Sequence, residues 1–318
     1  MSNAQTKSSA AAISALAAVA LCLGRCSPSP GAGGSSDSLT VYATTGYLAD
    51  AVANIAPDAE VTTMVGPGGD PHTYQPSTRD IETINDADVV FWNGLYLEAH
   101  MIDQLSSLGE RQLAVGEQLP RDLLLNWPET DDEGNALHDP HIWNSPEAWM
   151  LVVDSIADKL AEIDPDNAGK YRDNARGYSG EIAEAAAEAG DLLADLPEPR
   201  ILITGHDAFN YFGDTFGLQV LATDFVSTDA QLSPTELSGL ADLIADRRVP
   251  VIFRDNQANP QAITSLREAV RARGWEVEIS DEELYADSLG ADPGVDTYLG
   301  VFMHNATTVA DALGGADR

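Results

Sequence analysis

From Leu39 onward, the apolar positions fall into short runs, each followed by a loop or a stretch with helical spacing. "LTVYAT" leads into "GYLADAVANIA", "AEVTTMV" into a glycine- and proline-rich loop, and "DVVFW" into "LYLEAHMIDQL". After Pro199 the rhythm returns with "RILIT", "LQVLAT", "VPVIFR" and "WEVEIS". Such alternation predicts an α/β fold of parallel-rich sheet flanked by helices. Three helix starts are plainly signed. "SPEA" at Ser145, "SPTE" at Ser233 and "NPQA" at Asn259 each place a capping side chain before a proline at the first helical position. Glu236 adds a capping-box partner to Ser233.

Between the two alternating halves, residues 164–196 read as one long helix, with Asp164 as cap, Pro165 at its start and Pro197 as its stop. Tyr171, Ala175, Tyr178, Ile182, Ala186, Ala189 and Leu193 recur at three and four residues and mark one buried face. Gly177, Gly180 and Gly190 weaken that helix without breaking it. The expected organisation is an N-terminal α/β lobe over 39–163, a connecting helix over 164–196 and a C-terminal α/β lobe over 197–318. A length of 318 residues suits about two domains. Open sheets of this kind bind ligands beyond the carboxyl ends of their strands.

The opening segment changes the picture of location. Lys7 precedes the apolar run "AAAISALAAVALCLG", too short for a comfortable membrane span, and Cys26 follows it. Residues 1–26 read as a signal peptide, and 27–38, rich in Pro, Gly and Ser, as a flexible tether. A cysteine in that place resembles a bacterial lipoprotein signal, with lipidation at Cys26, although Arg25 stands where a small residue is usual. A plain secreted protein is the alternative. Cys22 and Cys26 are the only cysteines, so the folded part has no disulfide and no thiolate metal site. Net charge is −34, a field that repels nucleic acid and anionic lipid and gathers cations.

Three of the six histidines sit in constrained loops near predicted strand ends. His72 lies in "VGPGGDPHTYQPST", where Pro71 fixes its own φ and the glycines permit tight turns. His141 follows Asp139 and Pro140, and Gly205 delivers His206 after "ILIT". Three converging neutral imidazoles suit a divalent transition metal. His100 and His304 read as packing groups on helices, and His138 as a solvated loop residue. Trp92, Trp127, Trp143 and Trp149 read as core or cleft wall. Asp139 and Asp207 are candidates to orient neighbouring imidazoles.

In order along the chain, "GGDPHTYQPS", "DPHIWNSPEAW", "TGHDAFNYFGDTFGL" and "ELYADSLG" resemble the TroA-like metal-binding receptors of bacterial ABC importers for zinc and manganese. The resemblance covers Leu39 to Leu313. It implies two lobes joined by the long helix, one metal ligand from each motif, and a metal site in the cleft between the lobes. The ligands so implied are His72, His141, His206 and Asp287, with Asp281, Glu282 and Glu283 as competitors for the fourth place. It also implies a monomeric, non-enzymatic receptor that hands its metal to a membrane permease. Three histidines favour zinc over manganese, with iron(II) a further option.

Two rival readings are a secreted zinc hydrolase and a surface adhesin. The hydrolase needs an open coordination position and a general base, but three histidines and a carboxylate fill a tetrahedral shell, and no H-E-x-x-H occurs. Protons compete for ordinary imidazoles near pH ~6.5, so metal binding is expected to weaken between about pH 6.5 and 5.

Overall fold

The computed structural model describes residues 38–130, 134–226 and 232–315. The signal peptide, nearly all of the tether and Cys26 lie outside the described residues. Among those described, no helix is long and apolar enough to cross a membrane.

The first half opens with β1 (Thr40–Ala43), α1 (Gly46–Ile55) and β2 (Glu60–Thr63), then α2 (Thr78–Asp86), β3 (Val89–Trp92), α3 (Ile102–Ser106) and β4 (Gln112–Ala114). These four strands form one parallel sheet in the order β2-β1-β3-β4. All-parallel pairing requires a crossover between strands, and the apolar runs Val41–Ala43 and Val89–Trp92 are buried accordingly. An antiparallel hairpin, β5 (Asn126–Thr130) with β6 (Ala136–His138), then precedes α4 (Pro146–Ile163).

The second half carries β7 (Ile201–Thr204), α6 (Asn210–Phe216), β8 (Gln219–Ala222), α7 (Pro234–Arg247), β9 (Val251–Asp255), α8 (Pro260–Arg271), β10 (Glu278–Leu284) and α9 (Tyr298–Gly314). Its strands pair in parallel as β7 with β8 and β9 with β10, and β7 lies beside β9. The signed helix starts are as the sequence predicts. Ser145, Ser233 and Asn259 cap α4, α7 and α8, and the Ser233–Glu236 box is complete.

Between the halves runs the connecting helix, which we number α5 (Ala168–Ala194). It is shorter than the expected 164–196, because Pro165–Asn167 forms a separate 3-10 turn and Asn167 takes the N-cap position. At 1.5 Å per residue its 27 residues span about 40 Å. Tyr171, Ala175, Tyr178, Ile182, Ala189 and Leu193 are buried as the periodicity predicts. They join a single apolar cluster that runs from Val41 through α4 and α5 to Leu313. The two halves share this core, and Ser38–Arg318 packs as one unit.

Three local expectations are corrected. "LYLEAHMIDQL" is helical only in α3 and in the 3-10 turn Ala99–Met101 that contains His100. The reason lies just upstream, where Gly94, Leu95 and Tyr96 are all left-handed and the buried Glu98 carboxylate accepts from the backbone of Asn93 and Gly94. A carboxylate turned back in this way leaves no regular helix start. His138 is not in a loop but ends β6, paired with Asn126 of β5. The last strand starts later than "WEVEIS", at Glu278, and its register shifts between Ile279 and Glu283. His304 does lie on α9, where Nε2 faces the carbonyl of Glu283 at 2.8 Å.

Gly180 of α5 has open space where a Cβ would stand, whereas Ile182 is 1 % exposed. Gly180→Ala should therefore stabilise the protein by about 0.5–1 kcal/mol, by removing backbone freedom from the unfolded chain. Ile182→Ala should destabilise it by about 2–5 kcal/mol through the cavity it leaves. Urea unfolding of the two variants checks both signs.

Candidate metal centre

Each chemically active side chain lies beyond the carboxyl end of a strand or follows a short turn. His72 comes from the loop between β2 and α2. There Gly68 takes φ +71° and Gly69 N–H closes a turn on Gly66. Asp70 then orders the tip: one oxygen accepts from His72 N–H at 2.8 Å and the other from the Thr73 hydroxyl at 2.8 Å. The loop ends in the capping box of Ser77 and Asp80.

His141 repeats the same device. "DPH" recurs at 139–141, and Asp139 Oδ1 accepts from His141 N–H at 3.0 Å while meeting its Nδ1 at 2.7 Å. Asn93, from the strained β3 loop, supports this turn through the Pro140 carbonyl. His206 follows β7, and here the anchoring carboxylate is remote in sequence. Asp255 Oδ2, at the end of β9, accepts from Gly205 N–H at 2.8 Å and His206 N–H at 3.0 Å. Burial pushes the Asp255 carboxyl up to about 6, against the opposing pull of the His206 imidazole. A side chain at Gly205 would collide with Ala258 and with Asp255 Oδ2, so the position requires glycine.

Asp287 follows β10. The carbonyl just before it, that of Ala286, accepts from both Tyr47 Oη and Trp143 Nε1, each at 2.9 Å. Asn256 Oδ1 receives Ala286 N–H at 2.8 Å. Two hydrogen bonds from the first half thus hold the fourth group, together with Gly68 N–H on Ser288 Oγ at 3.0 Å.

The structure brings His72, His141, His206 and Asp287 together, with candidate ligand atoms all within 4.8 Å of one another. Their exposures are 3, 0, 0 and 0 %. Three imidazole Nε2 atoms point at one spot: His72 to His141 is 3.3 Å and His141 to His206 is 3.1 Å. Asp287 stands 3.6, 3.3 and 3.2 Å from the Nε2 atoms of His72, His141 and His206. A tetrahedron with ~2.0–2.1 Å metal–ligand bonds has edges of about 3.3 Å. The donor set therefore fits a small divalent ion.

The competing carboxylates Asp281, Glu282 and Glu283 lie within β10, outside this group. Asp207 does not touch an imidazole through its Oδ1, which accepts from Asn210 Nδ2 at 3.0 Å. The same amide also reaches Asp139 Oδ2. Trp143 lines the cluster, its ring edge-on to His141, and Trp92, Trp127 and Trp149 are buried in the core or its margin. Sequence reasoning missed Asp70, Asp255, Asn256 and Tyr47. The repeated "DPH" carried a signal for Asp70; the other three are assembled only by the tertiary fold.

Burial strips these groups of water, and their charges must balance internally. Burial drives the His72 imidazole down to about 3, more than Asp287 can offset. For His141 burial also acts downward, but the carboxylates of Asp139 and Asp287 overcome it and lift the ring to about 10. The same contest, won mainly by Asp287, raises His206. Burial would raise Asp287, yet the facing imidazoles of His206 and His141 hold it well below the usual carboxylate range.

Fold and site define a two-lobed α/β protein whose halves meet at a buried centre of three histidines and one aspartate. The chain belongs to the family described as zinc-uptake complex component A, periplasmic (ZnuA), which matches residues 41–312. Among curated relatives, the manganese-binding lipoprotein MntA of Bacillus subtilis is 35% identical, the match covering 89% of this chain and 92% of MntA. The zinc-binding protein TroA of Treponema pallidum is 34% identical over 86% of this chain and 88% of its own length. A solved structure of that periplasmic TroA superposes with a TM-score of 0.81, covering 87% of this chain and 99% of the TroA chain. The iron-binding protein YfeA of Yersinia pestis is 28% identical over 86% of each chain.

The opposed shifts at His72 and His141 can be read directly. In chelator-treated protein at pH 7, His141 should carry both ring protons and His72 only one. His141 should lose its second proton near pH 10, and His72 should gain one only near pH 3. Histidine nitrogen shifts in an NMR titration report both, and an ordinary midpoint near ~6.5 for either ring would contradict this electrostatic reading.

Proposed function

We propose that this chain is the extracytoplasmic receptor of an ABC metal importer, binding one divalent transition metal and presenting it to a membrane permease. One observation carries the reading: three imidazole nitrogens and a carboxylate without hydrogen-bond donors converge in a dry pocket at tetrahedral spacing. Such a set is repulsive by itself and is satisfied by a cation at its centre. His72, His141, His206 and Asp287 are the ligands, and Asp139 orients His141. Four protein ligands leave no position for a catalytic water, so the protein binds its metal and does not use it for hydrolysis.

Edges of 3.1–3.6 Å and a three-histidine set favour zinc. The relatives are named for manganese, zinc and iron, so manganese and iron(II) are the competing cargoes. The relatives' descriptions as lipoprotein and periplasmic protein support an extracytoplasmic placement for this chain. Anchoring through a lipid on Cys26 and action as a monomer complete the proposed reading. Residues 39–163 and 197–318 serve as first and second lobe, joined by the segment 164–196 that contains the connecting helix Ala168–Ala194.

Metal should stabilise the fold by RT ln(1 + [L]/Kd), roughly 4 kcal/mol at a thousandfold excess over Kd. His206→Ala should weaken zinc binding by orders of magnitude, and His100→Ala should leave it unchanged. Calorimetry with zinc and manganese in competition, beside elemental analysis of protein purified without chelator, tests the reading and identifies the cargo. Equal binding by His206→Ala and the parent would refute it.

Metal must also displace the proton that His141 holds. Binding at pH 7.5 should therefore release a proton, and affinity should keep rising with pH toward about 10, well above the window expected for ordinary imidazoles. Calorimetry in buffers of different ionisation enthalpy measures the proton. An affinity that is flat between pH 7 and pH 9 contradicts the assignment.

A further inference from the structure

His206 turns Nε2 toward the cluster, 3.1 Å from His141 Nε2 and 3.2 Å from Asp287. A neutral imidazole that ligates through Nε2 carries its proton on Nδ1. Yet His206 Nδ1 is buried with no hydrogen-bond partner. His141 differs, because its Nδ1 has Asp139 at 2.7 Å.

A complementary unpaired atom lies on the neighbouring strand end. Asp224 is 8 % exposed; its carboxylate accepts from the Asn259 backbone N–H, but Oδ1 is buried without a donor. The parallel ladder pairs Ile203 with Leu221 and Thr204 with Ala222. Past the end of that ladder the two segments stay bonded: Thr223 N–H and Asp224 N–H both donate to the Gly205 carbonyl, at 3.0 and 2.8 Å, which sets the Asp224 backbone against the residue that precedes His206. Burial raises the Asp224 carboxyl, and the His206 imidazole pulls it back, so the two groups feel each other. The nearby alternatives are engaged. Asp255 accepts from Gly205, His206 and Gln257 backbone N–H groups, and Asp207 Oδ1 accepts from Asn210.

We propose that Asp224 is the positioning residue of His206, its carboxylate accepting the Nδ1–H through one bridging water and so fixing the tautomer that aims Nε2 at the metal. This rests on the metal-ligand role proposed for His206. It adds a second charged contact behind the cluster, contributed by β8, whose end is otherwise unused by the site.

The experiment uses the full chain, histidine-labelled with nitrogen-15 and loaded with zinc. In the parent, the His206 Nδ1–H should be slow to exchange and shifted downfield as a hydrogen-bonded imidazole proton. Asp224→Asn should move that resonance and raise the zinc Kd roughly 10–100-fold, the usual range for an outer partner of a ligating histidine. Asp224→Glu should recover part of both, and Asp214→Asn, at an exposed position of α6, should change neither. A folded Asp224→Asn with unaltered resonance and affinity overturns the proposal, as does an Asp214→Asn variant that reproduces the loss. Should Asp224→Asn fail to fold, the parent still decides: a rapidly exchanging Nδ1–H with the shift of a free imidazole refutes it. A parent that binds no zinc, manganese or iron removes the metal-receptor reading and this inference with it. A parent that binds zinc while Asp224→Asn is silent removes this inference alone.

Discussion

The structure depends on an arrangement that is unfavourable on its own: three imidazole nitrogens and one carboxylate turned toward a single dry point. Lone pairs at 3.1–3.3 Å, beside a carboxylate with no hydrogen-bond donor, repel one another in a low-dielectric interior. The surrounding fold holds them there by fixing the backbone of each group separately. Asp70, Asp139 and Asp255 each take the N–H of one histidine, and Asn256 takes the N–H just before Asp287. The backbones that carry these groups therefore cannot move apart without breaking one of these hydrogen bonds, three of which are charge-assisted. Without metal, a proton relieves part of the repulsion: the carboxylates of Asp139 and Asp287 draw it to His141, which is driven up, while burial and the facing imidazoles drive His72 down.

The same logic explains why the two sheets share a core rather than standing apart. Tyr47 stacks on Trp143 with ring centroids 4.9 Å apart, and both donate to the Ala286 carbonyl. Tyr47 also packs against Tyr298 of α9, and α5 lies against α1, α4 and α9. A long helix in contact with elements of both halves resists local bending, so the site's geometry is stiffened by apolar packing well away from the ligands.

Much of this was legible in the sequence, and the failures have physical reasons. Parallel sheets with caps at Ser145, Ser233 and Asn259 followed from patterning and turn chemistry, because these are local rules. The three histidines stood out because proline, glycine and aspartate crowd their loops. Asp287 could be chosen from 51 acidic residues only by likeness to a family motif, since nothing local marks it. Asp255 and Tyr47 act across 49 and 239 residues of chain, and no window of sequence contains both partners. The helix expected after β3 failed for the opposite reason. A purely local pattern was overruled by Glu98, which satisfies two backbone donors in a left-handed turn at the expense of helix.

The anchors are unevenly divided, and this shapes how the centre can respond to movement. His72 and His141 are fixed by carboxylates in their own loops of the first half, and Asp287 is tied to that half through Ala286 and Ser288. His206 takes its backbone anchor within the second half, at Asp255, whereas Asp287 is held from both halves, because Asn256 of the second half also takes the Ala286 N–H. Any displacement between the halves therefore changes the edges from His206 to His72 and His141, while Asp287 is restrained by bonds to both halves. A tetrahedral shell that loses one vertex exposes its ion to water and to other donors. The acidic exterior bears on a different step, because exposed charges are screened over roughly 8–10 Å in salt and act on the approach of cations. Affinity belongs to the buried set, and the exterior charge acts before an ion reaches it.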